Sequence, residues 1–136
     1  MKLCNFLWGT FFLFLFSFIT VYPQDSIKVL KRINDESIDL NYLEGIKAGN
    51  EGLRISASYY LGERKSSKAV IPLMKILKSD KSPEARIMAA LSLFKIGDER
   101  GIYAIKQAIQ FDDNDWVKKM CGIFYQMHMA NKEGEK

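Results

Sequence analysis

Residues 85–109 read ARIMAALSLFKIGDERGIYAIKQAI. An arginine, small residues, a leucine, a Gly-Asp turn and a second apolar run follow in that order. Residues 53–77, LRISASYYLGERKSSKAVIPLMKIL, run in a similar order. A shift of 32 residues superposes the two stretches without a gap. Arg54 falls on Arg86, Ala57 on Ala89, Leu61 on Leu93, Lys68 on Arg100, Val70 on Ile102, Leu73 on Ile105 and Leu77 on Ile109. A second shift places Lys118 on Arg86, Cys121 on Ala89 and Tyr125 on Leu93, after which the chain ends in NKEGEK. Self-similarity at this period is the signature of a repeat architecture.

Each copy reads as two helices. Ile87, Ala90, Leu91 and Phe94 fall on one helical face. Ser82 precedes Pro83 and Glu84, a capping hydroxyl followed by proline at the first helical position. Gly97 and Asp98 break the pattern, and Ile102, Ile105 and Ile109 begin a new stripe. Ala57, Ala89, Ala90 and Ala104 are small where helices should cross. Pro72 is tolerated in a first turn if its helix begins near Ala69. A lone hairpin leaves its apolar face uncovered, whereas stacked hairpins share a continuous core. The expected fold is all-α: a short right-handed α-solenoid of about three stacked hairpins plus a weak N-terminal unit. In that weak unit SIKVLKRI supplies a short first helix and SIDLNYLEGIKAGN a second.

The two stretches resemble HEAT repeats, of the short type also found in phycobilisome lyases. The resemblance covers residues 50–129 well and 26–49 loosely. It implies a scaffold whose second helices line a concave face. On that face it would place Ile71, Met74, Lys75, Lys78, Tyr103, Lys106, Gln107 and Gln110 as a protein-binding surface. It also implies that an acid in each inter-repeat loop pairs with the arginine opening the next first helix. Asp80 with Arg86 fits this, Asp112 or Asp113 with Lys118 fits less well, and Asn50 before Arg54 lacks the charge. A regular ladder of ion pairs is therefore not expected.

The rest of the chain bounds the function. Lys2 precedes the uncharged run FLWGTFFLFLFSFITV, residues 6–21. A basic start before a short apolar stretch is the layout of a secretory signal peptide, and these 16 residues are fewer than the roughly 20 of a membrane span. The expected organisation is a signal peptide over 1–24, or a retained membrane anchor there, a repeat domain over 25–130 and a polar tail over 131–136. The localisation that follows is export, to periplasm or outside, with a membrane-anchored form as the alternative. Removing residues 1–24 takes one lysine and no acid, so the net charge falls from +4 to +3. No basic stripe of the kind nucleic-acid binders carry is present, and no nucleic-acid partner is expected.

Chemistry is sparse. One histidine excludes a HExxH helix, and only Cys121 would survive signal removal. Cys121 and His128 stand two helical turns apart, about 10 Å along the axis, and Cys121 occupies the small buried position of Ala89. His128 is expected to face solvent. FDDND, residues 111–115, lacks the glycine and distal glutamate of a calcium loop and reads as an acidic helix start. No catalytic residue, cofactor or metal is expected. One of Tyr59 and Tyr60 should pack inward. The last helix, 116–129, carries Trp116, Met120, Ile123, Phe124, Tyr125, Met127 and Met129 with no second helix to cover it, so self-association through that end is a further expectation. The function these residues support is a non-enzymatic scaffold binding a protein or peptide. The alternatives are a membrane-tethered scaffold and an accessory protein resembling the bilin lyases.

Overall fold

The computed structural model describes residues 23–134, all of whose regular elements are helical. They are α1 (Pro23–Gly45), α2 (Glu51–Glu63), a 3-10 turn (Ser67–Ala69), α3 (Val70–Ser79), α4 (Pro83–Ile96), α5 (Glu99–Phe111) and α6 (Asp115–Gly134). The expected signal peptide or anchor lies outside the described residues, except that Pro23 and Gln24 open α1. α6 continues to Gly134, four residues into the expected tail.

The chain divides after Ser37 into two compact units. In the first, Ile27, Val29, Leu30 and Ile33 are exposed on α1. The weak repeat was expected to be two helices. It is one, because NDES between Ile33 and Ile38 contains neither glycine nor proline to break it. Ser37 Oγ instead donates to the Asn34 carbonyl at 2.9 Å inside the helix.

The second unit holds the solenoid: two complete hairpins, α2–α3 and α4–α5, followed by α6. Helix starts recur at the repeat period. Asn50 Oδ1 accepts from Leu53 N (3.0 Å), Ser82 Oγ from Ala85 N (3.1 Å), and Asn114 Oδ1 from Trp116 N (2.9 Å) and Val117 N (3.2 Å). Each cap satisfies amides that the first turn leaves without partners. Gly97 ends α4 in the left-handed region at φ 75°, where a side chain would be strained. α3 begins at Val70, so Pro72 lies in its first turn and costs no helical hydrogen bond.

The core repeats with the caps. Leu61 and Leu93 are fully buried, as are Leu73 and Ile105, each pair related by the same shift. Burying each such side chain contributes roughly 1.5–3 kcal/mol. Ala57, Ala89 and Cys121 form a third buried series. There the helices approach closely: a Cβ on Gly62 would stand 2.7 Å from Ser92 Cα, and Ser92 Oγ donates to the Ser58 carbonyl at 2.7 Å. Ala104 departs from expectation. It is only half-buried, because its face of α5 opens onto a groove rather than a crossing.

The ion pairs correct both the expected partners and the expected lack of a regular ladder. Arg54 grips Asp80 through two parallel bonds, Nε to Oδ2 at 2.7 Å and Nη2 to Oδ1 at 2.9 Å. Arg86 Nη2 reaches Asp112 at 2.9 Å and Asp113 at 2.6 Å. Each arginine thus takes the acid of the loop after its own hairpin, 26 residues on to Asp80 and Asp112. It turns its other nitrogen to the loop before: Arg54 Nη1 to the Ala48 and Gly49 carbonyls, Arg86 Nη1 to the Asp80 carbonyl. The ladder is regular, and Lys118 lies outside it, 3.6 Å from Asp115. A guanidinium has enough donors to span two loops, whereas an ammonium is a point charge. The side chains of Arg86 and Asp112 are 9% and 5% exposed, so that pair is no surface pair, whereas Asp113 is exposed.

Neither Tyr59 nor Tyr60 is buried. Their side of α2 faces neighbouring rings instead of the core. Tyr60 stacks on Tyr42 with centroids 5.1 Å apart, and Lys95 Nζ stands 4.8 Å above the Tyr59 ring.

Candidate functional site

The second helices of the two hairpins, α3 and α5, pack side by side and leave a groove of about 520 Å³ between their outer faces. Helix periodicity builds it. Val70, Leu73, Ile76 and Leu77 point α3 into the core, which turns Ile71, Met74, Lys75 and Lys78 outward. On α5, buried Ile102 and Ile105 turn Tyr103, Ala104 and Gln107 to the groove. Ala104 and Ala108, one turn apart, add little bulk and deepen it. Ile71, Tyr103 and Phe111 are 51%, 62% and 75% exposed, an apolar surface with nothing from the described residues over it.

Six of the eight residues expected on this surface line the groove: Ile71, Met74, Lys75, Lys78, Tyr103 and Gln107. Lys106 does not; its Nζ stands 6.0 Å over the Tyr125 ring on α6. Gln110 is exposed on α5 but is not part of the lining. Leu77, Ala104, Ala108, Phe111 and Asp112 line the groove and were not expected. Phe111 had a signal: it stands where the preceding copy has Ser79, an aromatic replacing a hydroxyl at an outward position.

The groove's one carboxylate is already engaged. Asp112 accepts from Arg86 Nη2 and from Asn114 N, each at 2.9 Å, and its side chain is 5% exposed. The FDDND acids therefore serve Arg86 and the start of α6. Among the described residues no group of His, Cys, Asp and Glu is placed to hold a metal ion.

A second, more polar depression of about 360 Å³ lies among Gly62, Glu63, Lys65, Phe94, Lys95, His128 and Asn131. Glu63 and Lys95 pair with each other there. His128, expected in solvent, is half-buried in this wall. Cys121 is fully buried. Burial and the nearby Asp112 carboxylate push its thiol up to about 12, which leaves it a protonated packing group.

α6 buries Val117, Cys121 and Phe124, and the Phe124 ring stacks on Phe94 with centroids 6.1 Å apart. Trp116, Ile123, Met127 and Met129 remain exposed on it. No helix among the described residues is long and apolar enough to cross a membrane.

No curated protein matches this chain. A family model for HEAT repeats matches residues 40–122, well over half of it. With two capped hairpins, a core repeating in step and an arginine–aspartate ladder between the units, the chain belongs to the HEAT-repeat family and is a helical-repeat scaffold.

Proposed function

We propose that this scaffold is exported, has no catalytic role and binds another protein or peptide along the groove between α3 and α5. The observation that carries the reading is the exposure of Ile71, Tyr103 and Phe111 around one continuous depression. Aromatic residues and methionine are enriched at protein interfaces, where an apolar body can be buried at low entropic cost. The buried, protonated Cys121 and the fully engaged Asp112 support a binding role over catalysis. Export rests on the basic start and apolar run of the first 21 residues.

Photo-crosslinking in the cell that makes the protein tests the binding role. A benzophenone amino acid at position 103 or 111 is expected to give a discrete adduct, and one at Glu84, exposed at the start of α4, is not. Absence of adducts at both groove positions would sink the reading. The mass of the mature chain tests export, since a full-length N-terminus contradicts signal removal.

A second reading, a membrane-tethered scaffold, is supported by α1. Ile27, Val29, Leu30 and Ile33 occupy one side of the helix, with Lys28, Lys31 and Arg32 on the other. Helices with that division lie at lipid surfaces. Retention in membranes after a carbonate wash is the result this reading requires.

A further inference from the structure

We infer that the partner of the α3–α5 groove is an acidic amphipathic segment, with carboxylates set beside an apolar strip. The inference rests on the binding role proposed above and adds the partner's chemistry.

The charges along the groove point to this partner. Its lining holds three charged residues: Lys75, Lys78 and Asp112. Asp112 is held by the guanidinium of Arg86 and offers no free charge. Lys75 and Lys78 have no acidic partner among the described residues, and α3 itself contains no acid. Elsewhere some exposed lysines pair, Lys47 with Glu44 and Lys132 with Glu99, and others, such as Lys65 and Lys81, have no acidic partner among the described residues; what sets Lys75 and Lys78 apart is their place beside an exposed apolar groove. Two unpaired ammonium groups therefore flank the most exposed apolar surface of the solenoid's second helices.

Their spacing says more. Lys75 and Lys78 are three residues apart on one helix, so they share a face and stand about 4.5 Å apart along its axis. Carboxylates three or four residues apart on a partner helix match that separation. The α3 wall is 10 residues, about 15 Å, which a partner helix of roughly ten residues would span. The apolar strip would meet Ile71, Met74, Tyr103 and Phe111, while its acids meet the lysine edge. A basic segment would be repelled there. A neutral one would leave both ammonium groups partly desolvated without a counter-charge, which costs affinity.

The test uses the full chain and the position 103 crosslinker, with Lys75→Glu and Lys78→Glu introduced together. Both lysines are exposed, and circular dichroism is the check that the variant folds. The adduct is expected to fall at least tenfold, and the crosslinked partner peptide is expected to carry two or more acids within a helical turn of its apolar anchors. A complementary measurement uses three synthetic 14-residue amphipathic peptides of one apolar pattern, bearing glutamate, glutamine or lysine at the flanks. The glutamate peptide should bind the native chain at least tenfold tighter than the glutamine peptide, with a loss as salt rises. The lysine peptide should prefer the charge-reversed variant. An adduct unchanged by the double reversal, or equal binding of the glutamate and glutamine peptides, overturns the acidic assignment and leaves the groove a binding site. No adduct in the native chain removes the groove reading as well.

Discussion

Arg86 meets Asp80 through the main chain, with Nη1 2.8 Å from the aspartate's carbonyl oxygen, while the carboxylate of Asp80 belongs to Arg54. One residue thereby joins two repeats by two different atoms. Ser82 N also donates to Asp80 Oδ1 at 3.0 Å, so the loop between hairpins is held from three sides. The same arrangement recurs one repeat later, where Asn114 N donates to Asp112 Oδ1. The ladder acts as a spacer that sets how consecutive hairpins stack, and so how α3 and α5 are placed beside the groove.

Replacing Arg86 by methionine should destabilise the chain by about 3 kcal/mol, since it leaves Asp112 buried without its counter-charge. Asp112→Asn should cost less, about 1–2 kcal/mol, because an amide oxygen can still accept from the guanidinium. Urea unfolding followed at 222 nm measures both. Equal and negligible losses would contradict a buried structural pair.

The Asp80 carboxyl is held below the usual carboxylate range, first by its hydrogen bonds from Arg54. Its folded value lies below its unfolded one, so in the interval between them the unfolded chain binds more protons. Its contribution is therefore complete above the ordinary range, near pH 4, and is lost as the pH falls below that. Stability of the Asp80→Asn variant should decline less steeply over that acid interval. Thermal melts from pH 6 to 2.5 give the comparison, and parallel curves would refute it.

Cys121 titrates in the opposite sense. Its thiol is raised to about 12 by burial, so its contribution is complete below its ordinary value and is lost as the pH rises towards 12. Iodoacetamide at pH 8, read at residue 121 by peptide mapping, should leave Cys121 unmodified in the folded protein and label it in urea. Cys121→Ala should cost about 1 kcal/mol near neutrality and flatten the alkaline decline. Rapid labelling of Cys121 in the native chain would show an open site.

Two glycines should respond in opposite ways. A Cβ at Gly62 would lie 2.7 Å from Ser92 Cα, a backbone atom that cannot step aside, so Gly62→Ala should destabilise by roughly 1–3 kcal/mol. Nothing lies within 4 Å of a Cβ at Gly122 inside α6, and Gly122→Ala should stabilise by up to about 1 kcal/mol. Matched melting curves decide both signs.

Much of the solenoid was legible because its stabilising residues are local and repeat. Leu61 and Leu93, Ala57, Ala89 and Cys121, and the Ser82 cap all announce themselves by spacing, since helix periodicity and capping depend on near neighbours. The groove was partly legible for the same reason: outward positions on α3 and α5 follow from inward ones. Where spacing has no power, expectation failed. Tyr59 and Tyr60 turned to neighbouring rings, and Lys106 turned to Tyr125, because an exposed side chain chooses among surfaces that distant segments supply. NDES lacked a breaker, and the continuity of α1 could have been read from that.

The sequence by itself determined the repeat, its helices and the apolar face each helix buries, because these follow from a period of about 3.6 residues and from residue size. Only the tertiary structure decided which acid meets which arginine. Arg54 and Arg86 reach 26 residues ahead for a carboxylate and 6 residues back for a carbonyl. Those distances close only when one hairpin has stacked on the next, and the groove with Lys75 and Lys78 on its edge comes from the same stacking.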